Sequence, residues 1–524
     1  MILHTKQNGS TIFGFFIFGA ALMYFFLVQY NRMERLLEWD EADYAKASQY
    51  GIIRNAFEQE SLSFIQFAYL GIAKAKKAPV NTEGFPPESE DVFLLRHFHH
   101  PLPIYYFSLF LNDDIAKQDI LLRVSNMLLS FLCACIMFFI AVKSFFGKIE
   151  TIALFSACLS VAIFITSDLF LNSFQVIHFH NFFMLVSVLF AWTLTNYLNR
   201  PSGTNAIWLA LSAMGVVCVL ETSLFIFLGA LFSVFLLKQN KKFKGYAILI
   251  ILVFLLSTVL IWPGIIKTLG PAKSYAMYAY RIFAMKNVEY ENVSLMTNIL
   301  NIISGNPLLL IIMVAGYVKL IFELSGNKNS DKILLVPGII GLFYFIAMIP
   351  FTLSGNYIFP AAGLLFIGSV PGINGLINHS RKTKFIFTVL CFIYIASIFL
   401  KTEFTVIKNN TFDRKEKIQS DMTELKNLFR YEQPLLVDGG HIVQYYFPQD
   451  AKWINSLYGF DALSGEFAIR KNYQYVLQDS LLKSRYYRGV FIGKQRNYRQ
   501  EQLEQLKLWG YKFKELNYYY LFYL

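Results

Sequence analysis

Eleven apolar runs dominate the sequence and decide its class. They cover residues 11–30, 101–112, 121–146, 149–167, 171–196, 206–238, 245–266, 298–323, 332–350, 355–377 and 384–400. A bilayer core about 30 Å thick is crossed by roughly 20 residues of α-helix, and in lipid only helices or closed barrels satisfy every backbone polar group. The 524 residues are 55% hydrophobic and only 16% charged. A water-soluble chain of this length needs far more polar surface. The expectation is a polytopic α-helical membrane protein of about 11 spans. The first run lacks a small-residue cleavage site and ends in bulky Tyr and Phe, so it reads as a retained span and not a signal peptide.

The run at 206–238 is too long for one upright crossing. It reads as tilted, as broken at Glu221-Thr222, or as two short helices, and counting it twice reverses the topology after it. Charge favours counting it once. Lys238, Lys241, Lys242 and Lys244 crowd one connection and Arg381, Lys382 and Lys384 another; eleven spans with a cytoplasmic N-terminus put both inside. Lys143 and Lys148 then fall outside, against the rule. The same topology puts the loops at 31–100 and 267–297 and the C-terminal tail outside.

The formal charge of +12 sits largely in short loops, as an orientation signal does, with no basic helix interleaved with aromatics. Nucleic acid is therefore excluded as a partner. All five cysteines lie inside apolar runs, which predicts neither a disulfide framework nor a Cys-based metal site. From about Thr402 the composition turns soluble. Short strands around 434–438, 488–493 and 518–524, with a helix over 501–509, predict a small α/β domain. The chain thus divides into a membrane domain, 1–401, and a soluble extracytoplasmic domain, 402–524.

Polar residues at the ends of the runs carry the candidate chemistry. Asp40-Glu41-Ala42-Asp43-Tyr44-Ala45 comes shortly after the first run, at the start of the first large loop. Acids beside lipid are costly to hold, so they mark either a site or a solvated helix. Asp40 and Glu41 would sit about 100° apart on a helix and cannot act as a symmetric pair. Asp40 reads as a base for an acceptor hydroxyl or as an N-cap. His97, His99 and His100 precede the second run, as a phosphate or metal contact or as a polar interfacial loop. His178 and His180 interrupt an apolar run two positions apart, which raises the odds of a site, yet no spacing matches a zinc signature. Arg123 reads as a snorkelling residue. Arg281, behind Tyr275, Tyr278 and Tyr280, reads as a phosphate clamp or part of an interfacial belt. Ser354-Gly355-Asn356-Tyr357-Ile358-Phe359-Pro360 is either a backbone break able to hold an anion or an ordinary helix entry.

Taken in order, these segments resemble the GT-C glycosyltransferases that use a polyprenyl-phosphate sugar donor, among them the protein O-mannosyltransferases and the aminoarabinose transferase that modifies lipid A. Asp40 to Ala45 is similar to the acidic motif of the first extracytoplasmic loop. His100-Pro101-Leu102-Pro103-Ile104-Tyr105-Tyr106 is similar to the motif opening the second span. Arg123 with Phe145-Phe146-Gly147 resembles the third-span signature, and the segment around Tyr357 the late Tyr-x-x-Pro motif. The resemblance implies an inverting membrane glycosyltransferase (hexosyl or pentosyl) in the plasma (inner) membrane. Its donor is a polyprenyl-phosphate sugar and its acceptor an extracytoplasmic lipid, glycan or protein. It implies Asp40 as essential carboxylate beside Glu41, with His100, Arg123, Arg281 and Tyr357 at the donor phosphate. Tyr44, His178 and His180 then support the acceptor. A divalent metal ion bridging carboxylate and phosphate is compatible, with Asp40 and His178 as candidate ligands. Three positions depart from the pattern. His100 stands where a Lys is expected, His178 at or near a second acid, and Glu221-Thr222 near a missing Lys. These departures keep two alternatives open: a transporter or flippase of a lipid-linked saccharide, and a non-catalytic relative in envelope assembly.

Overall fold

The structure, a computed structural model, describes residues 8–30, 37, 40–50, 101–143, 151–174, 176–220, 222–237, 245–257 in part, 306–325, 331–348, 355–408, 411–438, 443, 445–447, 453–461, 466–471, 474–477, 479–494 and 500–524. Helix α1 (Asn8–Tyr30) is followed by α2 (Asp40–Tyr50), the short α3 (Pro101–Ser108) and the long α4 (Ile115–Lys143). Then come α5 (Thr151–Ile165), the one-and-a-half-turn α6 (Asp168–Ser173) and α7 (Phe179–Asn199). Next are α8 (Gly203–Val217), α9 (Ser223–Leu236), α10 (Pro307–Ser325), a 3₁₀ turn at Asp331–Leu335, α11 (Val336–Met348), α12 (Gly355–Asn378) and α13 (Arg381–Lys408).

Among the described residues, five helical stretches are long and apolar enough to cross a membrane: Ile12–Tyr30, Ile115–Val142, Phe179–Asn199, Pro307–Ser325 and Ile358–Ile377. Four shorter apolar helices accompany them. The chain is a multi-pass membrane protein. Large apolar side chains such as Phe16 on α1, Trp208 on α8, Phe235 on α9, Phe322 on α10 and Phe385 on α13 face outward, 59–72% exposed. A soluble fold would have buried them; a lipid-facing one need not.

α12 is the central helix, packed against α5, α7, α10, α11 and α13. It carries Pro360 and Pro371 in its interior. Its tightest crossing is with α10, where Gly372 lies against the Gly316 carbonyl and a Cβ on Gly316 would come within 2.7 Å of the Ser369 carbonyl oxygen. Backbones approach this closely only where side chains are absent, as is usual for helix pairs in membranes.

Two of the expected runs take a different form. The 206–238 run is two helices, α8 and α9, with a turn between them; α8 packs on α7, and α9 on α11. Residues 101–112 give only the eight-residue α3, which rises about 12 Å, less than half a bilayer. Its start is tied to the α8–α9 break, Leu102 N donating to the Cys218 carbonyl at 2.9 Å. Much of the run at 245–266 lies outside the described residues.

The C-terminal unit starts with α14 (Thr411–Phe429) and builds a seven-stranded sheet of order β4-β3-β2-β1-β5-β7-β6. Its elements are β1 (Leu435–Asp438), β2 (Ile454–Asp461), β3 (Glu466–Lys471), β4 (Gln474–Leu477), α15 (Asp479–Lys483), β5 (Gly489–Gly493), α16 (Gln500–Leu508), β6 (Lys512–Glu515) and β7 (Tyr519–Tyr523). β1 runs parallel to both β2 and β5; the other pairs are antiparallel. Period-two alternation covers both faces. Leu436, Val490, Ile492 and Phe522 pack with Leu482 of α15 and Leu503 and Leu506 of α16. Leu435, Val437, Phe491 and Leu521 lie on the other face, with the α14 residues Leu425 and Leu428. Asp421 of α14 accepts hydrogen bonds from the backbone N–H groups of Asn517 and Tyr518 at 3.0 and 2.7 Å, fixing the β6–β7 turn.

Candidate active site

The short helix α2 is polar, yet Glu41, Ala42, Tyr44, Ala45 and Ser48 are all buried. It packs along α3, and its first residue is Asp40. Two contacts tether it to the bundle. Glu41 receives both terminal nitrogens of Arg123 on α4, at 3.2 and 3.1 Å, with both side chains 7% exposed. Its Oε1 also accepts the backbone N–H of Ile177 at 3.0 Å. One turn on, the Tyr44 hydroxyl lies 3.3 Å from His178 Nε2, and its ring stacks on Phe179 at 4.0 Å.

The partner surface is the non-helical link between α6 and α7. Buried irregular backbone needs its polar groups satisfied by the protein itself. Here Asn126 of α4 donates to the carbonyls of Phe174 and Val176 at 2.6 and 3.3 Å. Asn181 of α7 donates to the Val176 carbonyl at 2.9 Å and to Asn126 Oδ1 at 3.1 Å. Glu41 takes the Ile177 N–H. The acidic helix therefore completes the link, and the link holds the acidic helix.

His178 caps α7: its Nδ1 accepts the backbone N–H of His180 at 3.2 Å. The same Nδ1 lies 2.6 Å from His180 Nδ1. With the His178 proton on Nε2, that nitrogen faces the Tyr44 oxygen as donor and Nδ1 accepts from His180. Tyr44, His178 and His180 thus form a hydrogen-bonded file.

A second polar cluster lies one turn earlier on α4. Asp119 accepts the hydroxyl of Tyr445 at Oδ1, 2.7 Å, and that of Tyr446 at Oδ2, 2.8 Å. Gln118 Nε2 donates to the Tyr445 oxygen at 2.8 Å, and the Leu37 backbone N–H to the Tyr446 oxygen at 2.6 Å. Burial, then the Asp119 charge, pushes both phenols well above their ordinary pKa, so both stay protonated donors.

The sequence-derived candidates distribute as follows. Glu41, Tyr44, Arg123, His178 and His180 come together in the buried cluster. Arg123, expected at a donor phosphate, has its guanidinium on Glu41, because a buried carboxylate in fork geometry satisfies it bidentately. Glu41, expected beside Asp40 in catalysis, is in turn occupied by Arg123 and Ile177. Asp40 and Tyr357 begin or lie within described helices, α2 and α12, and their side chains lie outside the described residues; His100 and Arg281 lie outside them altogether. Three or more His, Cys, Asp or Glu side chains do not gather for a metal among the described residues. Both ring nitrogens of His178 are engaged, so His178 does not fit a metal ion in this arrangement.

Sequence reasoning missed Gln118, Asp119, Asn181, Tyr445 and Tyr446. Asp119 carried one readable signal: it is four residues ahead of Arg123, hence on the same helix face. Nothing in the run Tyr445-Tyr446-Phe447 announces a partner 326 residues away.

No protein-family model matches the sequence, and no curated protein matches it. Solved structures do. The oligosaccharyltransferase of Archaeoglobus fulgidus, in its complex with Zn and sulfate, superposes with a TM-score of 0.52 at 10% identity, over 95% of this chain and 72% of that one. The same enzyme tethered by a disulfide to an acceptor peptide containing the NVT sequon gives 0.50 at 10% identity, over 96% and 74%. The chain shares the fold of this oligosaccharyltransferase. The likeness extends over 95–96% of this chain and is one of fold.

Proposed function

We propose that this protein is an integral-membrane glycosyltransferase that moves a sugar from a polyprenyl-phosphate donor to an extracytoplasmic acceptor with inversion. The observation that carries this reading is the two-point tether of α2. In a GT-C fold, a helix headed by Asp40 is held by Glu41–Arg123 on one side and Tyr44–His178 on the other. A carboxylate is useful as a base only when its geometry is fixed beforehand.

The reaction balances simply. The acceptor O–H attacks the anomeric carbon, its proton passing to the Asp40 carboxylate; the bond from that carbon to the phosphate oxygen breaks, and polyprenyl phosphate departs. A lipid-anchored phosphate leaving group needs no nucleotide-binding loop, and the sequence has no Gly-rich phosphate motif. His100, Arg281 and Tyr357 are the candidates for neutralising the departing phosphate. Arg123 and Glu41 act one step back, holding α2. The Tyr44–His178–His180 file would orient the acceptor through the Tyr44 hydroxyl. The described donors give no reason to route a step through a metal at His178.

The peptide tethered to the Archaeoglobus enzyme supports a peptide among the acceptors, alongside lipid or glycan. The reading takes 1–401 as the catalytic domain and 402–524 as an extracytoplasmic unit. It places the chain in a plasma (inner) membrane with a cytoplasmic N-terminus. Transfer of radiolabelled sugar from lipid-linked donor in membranes tests it, comparing wild type with Asp40→Asn at matched abundance. Label reaching an acceptor in wild type alone is the expected result. Equal transfer in both would remove Asp40 from the reaction.

A further inference from the structure

The α/β unit reaches into the bundle through the segment after β1. Two adjacent phenols, Tyr445 and Tyr446, straddle one carboxylate, Asp119, each giving its proton to a different oxygen. Each phenol oxygen in turn accepts an N–H: Tyr445 that of Gln118, Tyr446 that of Leu37. The second is the telling contact. Leu37 is fully buried and stands three residues before Asp40. One hydroxyl therefore joins the soluble unit, the head of α4 and the chain entering the acidic helix. On α4, Asp119 lies one turn from Arg123, which grips Glu41. The acidic helix is thus fixed from two adjacent turns of α4, directly through Arg123 and indirectly through Asp119 and the C-terminal unit.

We propose that Asp119 is a positioning residue, which through Tyr446 couples docking of the α/β unit to the placement of the Asp40 helix. The proposal rests on the transferase reading for its consequence, and on hydrogen bonds alone for its geometry. The consequence is that turnover requires the C-terminal unit to be seated. An acceptor that engages the unit would then act on the site through one hydroxyl.

The test uses the full chain in lipid nanodiscs with two variants, Tyr446→Phe and Asp119→Asn. Tyr446→Phe keeps the ring and removes the hydroxyl, so it spares the fold even where Asp119→Asn does not. Amide hydrogen exchange is read over residues 37–50, with α7 and α12 as internal references. Losing a buried, charge-linked hydrogen bond is expected to speed exchange there roughly tenfold, with the references unmoved. Transfer kinetics with the lipid-linked donor are expected to give turnover lowered by a similar factor and an unchanged KM for donor. Unchanged exchange over 37–50 in Tyr446→Phe overturns the coupling, whatever the kinetics. A raised KM with unchanged turnover overturns the positioning role. Faster exchange in a protein that transfers no sugar even as wild type upholds the coupling and sinks the transferase reading instead.

Discussion

At the scale of single residues, the Glu41–Arg123 pair separates stability from chemistry. Breaking a buried ion pair from one side leaves an uncompensated charge and costs about 3–5 kcal/mol, whereas replacing both partners by apolar groups is often near neutral. Arg123→Met is therefore expected to lower the melting temperature of the detergent-solubilised protein sharply. The double variant Glu41→Met with Arg123→Met should recover part of the loss. The remainder is the Ile177 N–H, left without the acceptor it has now, at about 1–3 kcal/mol. Transfer activity should not return in the double variant, since α2 has lost one tether. Recovery of both stability and activity would show that the pair is only ballast for the fold. Both residues were legible as unusual in the sequence, being ionisable groups at the ends of apolar runs. Their pairing was not, because 82 residues separate them and short-range spacing carries no information at that distance.

At the scale of elements, the bundle is governed by where backbones touch. A methyl on Gly372 would overlap the Gly316 carbonyl, and neither backbone can move without opening the α10–α12 crossing. Gly372→Ala is expected to cost about 1–3 kcal/mol through overpacking. Gly19 on α1 is a control of opposite sign: a Cβ there meets nothing within 4 Å. Gly19→Ala should be neutral or stabilise by up to about 1 kcal/mol from helix propensity. Paired melting curves check both; equal shifts would contradict the packing described. Most apolar runs were readable as helices, since hydropathy over 20 residues is a strong signal. The form of 101–112 and 206–238 was less so. Whether an apolar stretch becomes one crossing, a stub or a broken pair depends on its neighbours, as the Leu102–Cys218 bond between those two segments illustrates.

At the scale of the whole molecule, the sequence foretold a membrane bundle followed by a small sheet, and β1, β5, β7 and α16 lie close to where alternation and helical spacing put them. It could not foretell that the two parts meet at Asp119, because that contact uses ordinary residue types in unremarkable contexts. The motif order that resembles a GT-C transferase and the fold shared with the Archaeoglobus oligosaccharyltransferase are separate observations, one from residues and one from backbone. The motif order carries the proposal of a lipid-linked donor; the backbone likeness is one of fold. The most direct measurement is transfer by the purified full-length protein in vesicles, offered either a polyprenyl-phosphate sugar or the corresponding nucleotide sugar, with the anomeric configuration of the product read by NMR. The account predicts transfer from the lipid-linked donor only, with inversion, and none by Asp40→Asn. Consumption of the nucleotide sugar, or retention of configuration, would contradict it.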